Sequence, residues 1–176
     1  MNRQSNCRKL SLFAIFTLAT ATFVGCESQT QSPGEETSSE YLLLSEPADA
    51  KTPTELMESL AEPTMVVVAG SIDAGDLEPF EKGKATFVLS QLADEEHAQG
   101  DPDHANKCPF CKRKLESAPK VVVQFVDDSG NVLSQDARDL LGVKKGSAVV
   151  VKGTGVYEEP INMINLTADG IFVRTP

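Results

Sequence analysis

Past residue 64 the chain falls into apolar stretches separated by polar turns. Met65 to Ile72, MVVVAGSI, is rich in β-branched residues and predicts a first strand, with Gly70 marking a bend or bulge. Lys84 to Leu92 predicts a second, with Ala85, Phe87 and Leu89 on one face. Lys120 to Val126 predicts a third, in which Val121, Val123 and Phe125 alternate inward. Asp127-Asp128-Ser129-Gly130-Asn131 is a strong turn signal. Gln135 to Leu141 reads as a short helix, capped by Ser134 and closed by Gly142. Ser147 to Tyr157 is a fourth strand bent at Gly153 or Gly155. Ile161–Leu166 and Gly170–Arg174 give a final strand or a hairpin turned at Ala168-Asp169-Gly170.

The patterning before residue 64 is different. Arg3, Arg8 and Lys9 precede an apolar run, Leu10 to Val24, that falls short of the roughly 20 residues a bilayer requires. Residues 1–25 therefore read as an export signal, outside the fold. Residues 26–51 are rich in Ser, Thr, Gln, Glu and Pro and read as a flexible tether. Tyr41-Leu42-Leu43-Leu44 interrupts that tether and can dock on the domain. Residues 52–63 hold a short helix and linker, with Thr52 or Thr54 as N-cap and Pro63 as stop.

The junction Phe23-Val24-Gly25-Cys26 resembles the bacterial lipobox. By that resemblance Cys26 is the lipidated first residue of the mature protein, anchored stably by several acyl chains. Glu27 takes the place of the Asp that marks inner-membrane retention. The resemblance thus implies the bacterial cell envelope, at the outer membrane facing the periplasm.

Residues 64–176 run β-β-β-α-β-β. With a short helix between strands three and four, and glycines bending long strands, this resembles the OB-fold barrel. The expected fold class is therefore mainly β: an OB-fold-like five-stranded barrel after a disordered tether. Phe87, Leu89, Val121, Val123, Val149 and Val151 should point into its core. An open sheet or a small sandwich of the same strands is the alternative.

Charge narrows the partners. The chain carries −10, and residues 1–25 hold three basic and no acidic side chains, so the mature chain carries −13. Such a surface repels phosphate backbones, which argues against nucleic acid. Phe87 and Phe125 share the inward alternation and read as core, not as stacking platforms. The membrane, through the lipid on Cys26, is the one partner the sequence implies.

Candidate chemistry concentrates between strands two and three. Residues 93–119 form a 27-residue insertion with little apolar content, longer than the roughly 12–15 residues usual for a structureless loop. Both histidines, His97 and His104, and the pair Cys108 and Cys111 lie within fifteen residues of it. Cys108-Pro109-Phe110-Cys111-Lys112 resembles the knuckle of rubredoxin-like and zinc-ribbon proteins, in which amides after the first Cys donate to its thiolate. No second knuckle follows, so the remaining ligands would be His104 and His97. A Cys₂His₂ set suits Zn²⁺, and copper is the alternative ion. Exported bacterial proteins of unassigned activity also resemble this chain, with a His-rich, CPFCK-like loop in a similar β domain.

Other readings stay open. CPFC also resembles the dithiol site of glutaredoxins, which makes an envelope thiol-disulfide redox protein using Cys108 and Cys111 the alternative function. Exported cysteines also pair as plain disulfides. Covalent haem needs a His where Lys112 stands. Asp94, Glu95, Glu96, Asp101 and Asp103 can supply hard ligands or merely solvate the loop. No Gly-rich phosphate loop or GxSxG elbow appears, so no catalytic residue is assigned. A catalytic zinc would need three protein ligands and an open position, left if one histidine stays free.

Overall fold

The computed structural model describes residues 40–93 and 107–175. The expected signal peptide, Cys26 and the tether up to residue 39 lie outside the described residues, as do residues 94–106. Five strands, β1 (Thr64–Ile72), β2 (Thr86–Ser90), β3 (Lys120–Phe125), β4 (Ala148–Glu158) and β5 (Met163–Val173), close a barrel in the order β1-β2-β3-β5-β4. β3 and β5 are parallel and the other pairs antiparallel. The order, the parallel closing pair and the helix between β3 and β4 are those of the OB fold. Among the described residues, no helix is long and apolar enough to cross a membrane.

The expected alternation holds on β2 and β3. Phe87, Leu89, Val121, Val123 and Phe125 are fully buried in one cluster with Val149, Val151, Ile164 and Ile171. Phe87 and Phe125 pack against each other with ring centroids 6.4 Å apart. Both aromatics are thus part of the core.

Two short helices complete the core. α1 (Pro53–Met57) starts from a capping box: Glu55 N–H donates to Thr52 Oγ1 at 3.3 Å, and Thr52 N–H donates to Glu55 Oε2 at 2.7 Å. Leu56, and Leu60 just beyond the helix, are buried in the barrel cluster. After α2 (Pro109–Ser117), which lies between β2 and β3, the helix between β3 and β4 is α3 (Ala137–Leu141). It buries Ala137, Leu140 and Leu141. Ala137 N–H donates to Lys84 O, and Leu133 N–H to Phe125 O, so α3 covers the end where β2 starts and β3 finishes. Its N-cap is Asp136, two residues later than the expected Ser134. Asp136 accepts from Arg138 N–H at 3.0 Å and also from the Arg138 side chain, which a hydroxyl at 134 has no means to match. Gly142 ends the helix in the left-handed region, as expected.

The last strand is continuous. The Ala168-Asp169-Gly170 signal is not a hairpin turn but a bulge. Lys152 pairs with Gly170 and Gly153 with Ala168, leaving Asp169 as the extra residue. A Cβ on Gly153 would lie 2.1 Å from Thr167 O, so only glycine admits this approach.

Residues 40–51 touch the barrel at several points. Tyr41 lays its ring edge-on against Phe125, with centroids 5.0 Å apart and planes at 71°. Burial, then Glu40, Asp128 and Asp127, push its phenol above the ordinary value. Leu42 bridges Ile171 in parallel and Leu43 N–H donates to Ile171 O at 2.8 Å. Lys51 bridges Val68, and Arg174 pairs with Glu46. The segment supplies hydrogen bonds to half-edges of β5 and β1 that the five barrel strands leave open.

Candidate functional site

The insertion leaves the barrel after Ser90 and returns at Lys120. Its neck is tied. Lys120 Nζ donates to Ser90 Oγ at 2.7 Å, and Ser90 Oγ donates to Asp73 O at 2.8 Å. Next to them, Thr54 Oγ1 donates to Gln91 Oε1 at 2.6 Å, joining α1 to the outgoing chain.

The return limb is a helix, α2 (Pro109–Ser117), where the sequence reading had only loop. None of its residues is buried, so it lacks the apolar stripe that betrays a helix in sequence. Local chemistry starts it. Cys108 is the N-cap with extended backbone (φ −91°, ψ 109°), and Pro109 occupies the first helical position, where no N–H is needed. The far end is held by Asn162, whose Nδ2 donates to Ser117 O at 3.2 Å. Asn162 is fixed in turn by Tyr157, which donates to its Oδ1 at 3.1 Å. Asn162 has positive φ (52°), which asparagine tolerates better than most residues.

Cys108 and Cys111 share the N-terminal turn of α2. Both are of intermediate exposure, and no disulfide joins them. Cys111 N–H donates to Cys108 Sγ at 3.4 Å. This contact and the Cys111 side chain hold the Cys108 thiol below its ordinary pKa; burial opposes them, and the Phe110 amide adds to the lowering. Backbone amides placed in this way stabilise a thiolate over the thiol. Phe110, between the two cysteines, is 72% exposed. Lys112, Arg113 and Lys114 lie on the solvated surface of α2.

Chemically, the turn offers two soft donors one helical turn apart, and the amide contact favours the thiolate form of Cys108. His97 and His104 lie outside the described residues, with Asp94, Glu95, Glu96, Asp101 and Asp103. Among the described residues, no group of three or more His, Cys, Asp or Glu side chains could hold a metal ion. The described part of the expected site is therefore its cysteine half. Sequence reasoning missed Asn162 and the Ser90–Lys120 neck. Asn162 had a weak signal, an Asn after a Pro-Ile turn; the neck, made between residues 30 apart in sequence, had none.

The chain matches no protein-family profile, no curated protein and no solved structure.

Proposed function

We propose that this chain is a lipid-anchored binding module of the bacterial cell envelope. Its OB-like barrel presents a thiol-based metal site, with Zn²⁺ as occupant, on the insertion between β2 and β3. The observation that carries the reading is the amide contact from Cys111 N–H to Cys108 Sγ at the start of α2. It favours the thiolate, the form in which cysteine ligates metal. Cys108 and Cys111 supply half of a tetrahedral set, and His104 and His97, the two imidazoles of the chain, would complete it. Copper is the competing ion, because many nitrogen and sulfur sites bind it more tightly than zinc. Bound there, the ion would staple the insertion to the start of α2. The barrel has its own core, so the staple acts locally, and no reaction is assigned to it.

Anchoring rests on the lipobox-like Phe23-Val24-Gly25-Cys26. The acidic mature chain supports a module that meets proteins or ions rather than nucleic acid. Metal content of the full chain, purified in detergent without chelator, tests the site. One equivalent of zinc per chain, lost in a Cys108→Ser, Cys111→Ser double variant, is expected. A metal-free protein with both thiols reduced would remove the reading. Separately, Cys26→Ser should move the protein from the membrane to the soluble fraction.

A second reading has its own support. A thiol at the N-cap of a nine-residue helix is also the placement of a reactive thiol, as in a thiol-disulfide redox protein. A metal-free protein that cycles reversibly between dithiol and disulfide would favour that reading.

A further inference from the structure

The two sulfurs that would hold the metal are also placed to bond to each other. Cys108 and Cys111 are three residues apart across the first turn of α2. Residues at this spacing on a helix have Cβ atoms about 5–6 Å apart, whereas a disulfide asks for about 3.5–4.5 Å. Cys108 has extended backbone and so is not held to the helical spacing. Its sulfur lies over the turn, 3.4 Å from Cys111 N, which is two bonds from the Cys111 Cβ.

The rest of the turn can adjust. No residue of α2 is buried, so moving its first turn disturbs no core packing. Pro109 has no N–H to lose. The loop closed by such a bond is short, so the bond draws little stability from chain entropy and can be opened again. Both sulfurs are partly exposed, so an oxidant in solution can reach them.

We propose that a disulfide oxidant converts Cys108 and Cys111 into an intramolecular disulfide and so discharges the metal. The site is loaded as a dithiolate and empty when oxidised. This rests on the metal reading above. The balance is complete: one thiolate attacks a sulfur of the oxidant, forming a mixed disulfide and releasing one thiolate. The second cysteine sulfur then attacks the first, forming the internal bond and releasing the other thiolate. The protein loses two electrons, the oxidant gains them, and two protons from solvent complete its two thiols. The ion leaves because no thiolate remains to hold it.

The test uses the full chain in detergent, loaded with Zn²⁺ and treated with oxidised glutathione as the probe. Zinc release is followed with a metal dye, and bonding by peptide mass over residues 108–111. One zinc should leave for each internal disulfide formed, and dithiothreitol followed by zinc should restore the loaded state. Cys108→Ser and Cys111→Ser single variants should each stop at a glutathione adduct on the remaining cysteine. Zinc retained with both thiols reduced, under oxidant that fully oxidises the metal-free chain, would overturn the switch and leave the metal reading standing. Glutathione caps or interchain bonds in the unmutated chain, without the internal disulfide, would overturn it too. A chain that oxidises internally but never takes up zinc would overturn the metal reading, and the switch with it.

Discussion

Tyr41 gives the sharpest test of where the folded unit begins. The tetrapeptide Tyr41-Leu42-Leu43-Leu44 lies in a stretch of tether-like composition, yet its side chains differ sharply in environment. Tyr41 is half-buried and packs edge-on against Phe125, whereas Leu44 is 103% exposed. Truncating a fully buried aromatic to alanine costs about 3–5 kcal/mol. Aromatic pairing itself contributes about 0.5–1.5 kcal/mol of such a cost. With half the burial, Tyr41→Ala should cost about 2 kcal/mol. For a domain of this size that lowers the thermal midpoint by roughly 6–10 °C. Tyr41→Phe keeps the ring and should stay within about 0.5 kcal/mol of the parent, as should Leu44→Ala. Urea unfolding followed by far-UV circular dichroism measures the series, and an unchanged m-value would show that only stability has moved. If Tyr41→Ala matches Leu44→Ala, the segment contributes nothing and the folded unit starts at Thr52.

Two further outcomes follow from Asp136 at the start of α3 and from Asn162 at the end of α2. The Arg138 guanidinium, helped by the amides of Arg138 and Gly83, holds the Asp136 carboxyl well below the usual carboxylate range. A depressed carboxyl stabilises the fold above its unfolded pKa of about 3.9, and that stability is lost as pH falls toward the folded value. Asp136→Ala should therefore cost about 1 kcal/mol at pH 7, with the gap to the parent closing below about pH 4; a gap that persists at low pH would contradict this. Asn162→Gly keeps the left-handed backbone and removes the hydrogen bond to Ser117 O. Amide exchange across 109–117 should rise roughly two- to tenfold while the barrel's urea midpoint barely moves. Unchanged exchange there would show that α2 is held by something else.

How much was legible in the sequence follows from what each element buries. β2 and β3 were readable because their alternating valines, Phe87 and Phe125 face one core, and a period of two has no other economical explanation. β5 was misread at one point: Ala168-Asp169-Gly170 has turn chemistry, but pairing with β4 on both sides of Asp169 turns it into a bulge. α2 was invisible to periodicity, since a helix that buries nothing carries no stripe. Its start was nonetheless written in Cys108-Pro109, a capping residue before a proline at the first position. Residues 40–51 were legible in part: the composition is that of a tether, and Tyr41-Leu42-Leu43-Leu44 stood out within it as the segment able to dock. That Cys108 and Cys111 share one turn was legible from spacing alone, while the tie of α2 to the barrel through Asn162 depends on a contact 45 residues distant in sequence.

The central claim is that Cys108, Cys111, His104 and His97 together hold one zinc ion. X-ray absorption at the zinc edge, on the full chain purified in detergent with its native metal, reads that ligand set directly. Two sulfur scatterers at about 2.3 Å and two imidazole nitrogens at about 2.0–2.1 Å are the predicted shell. Replacing His97 and His104 should convert the nitrogen pair to oxygen ligands, or to fewer ligands, without the imidazole outer-shell scattering, and leave the sulfurs in place. A shell of nitrogen and oxygen alone, or an unchanged shell in the Cys108→Ser, Cys111→Ser variant, would contradict the account.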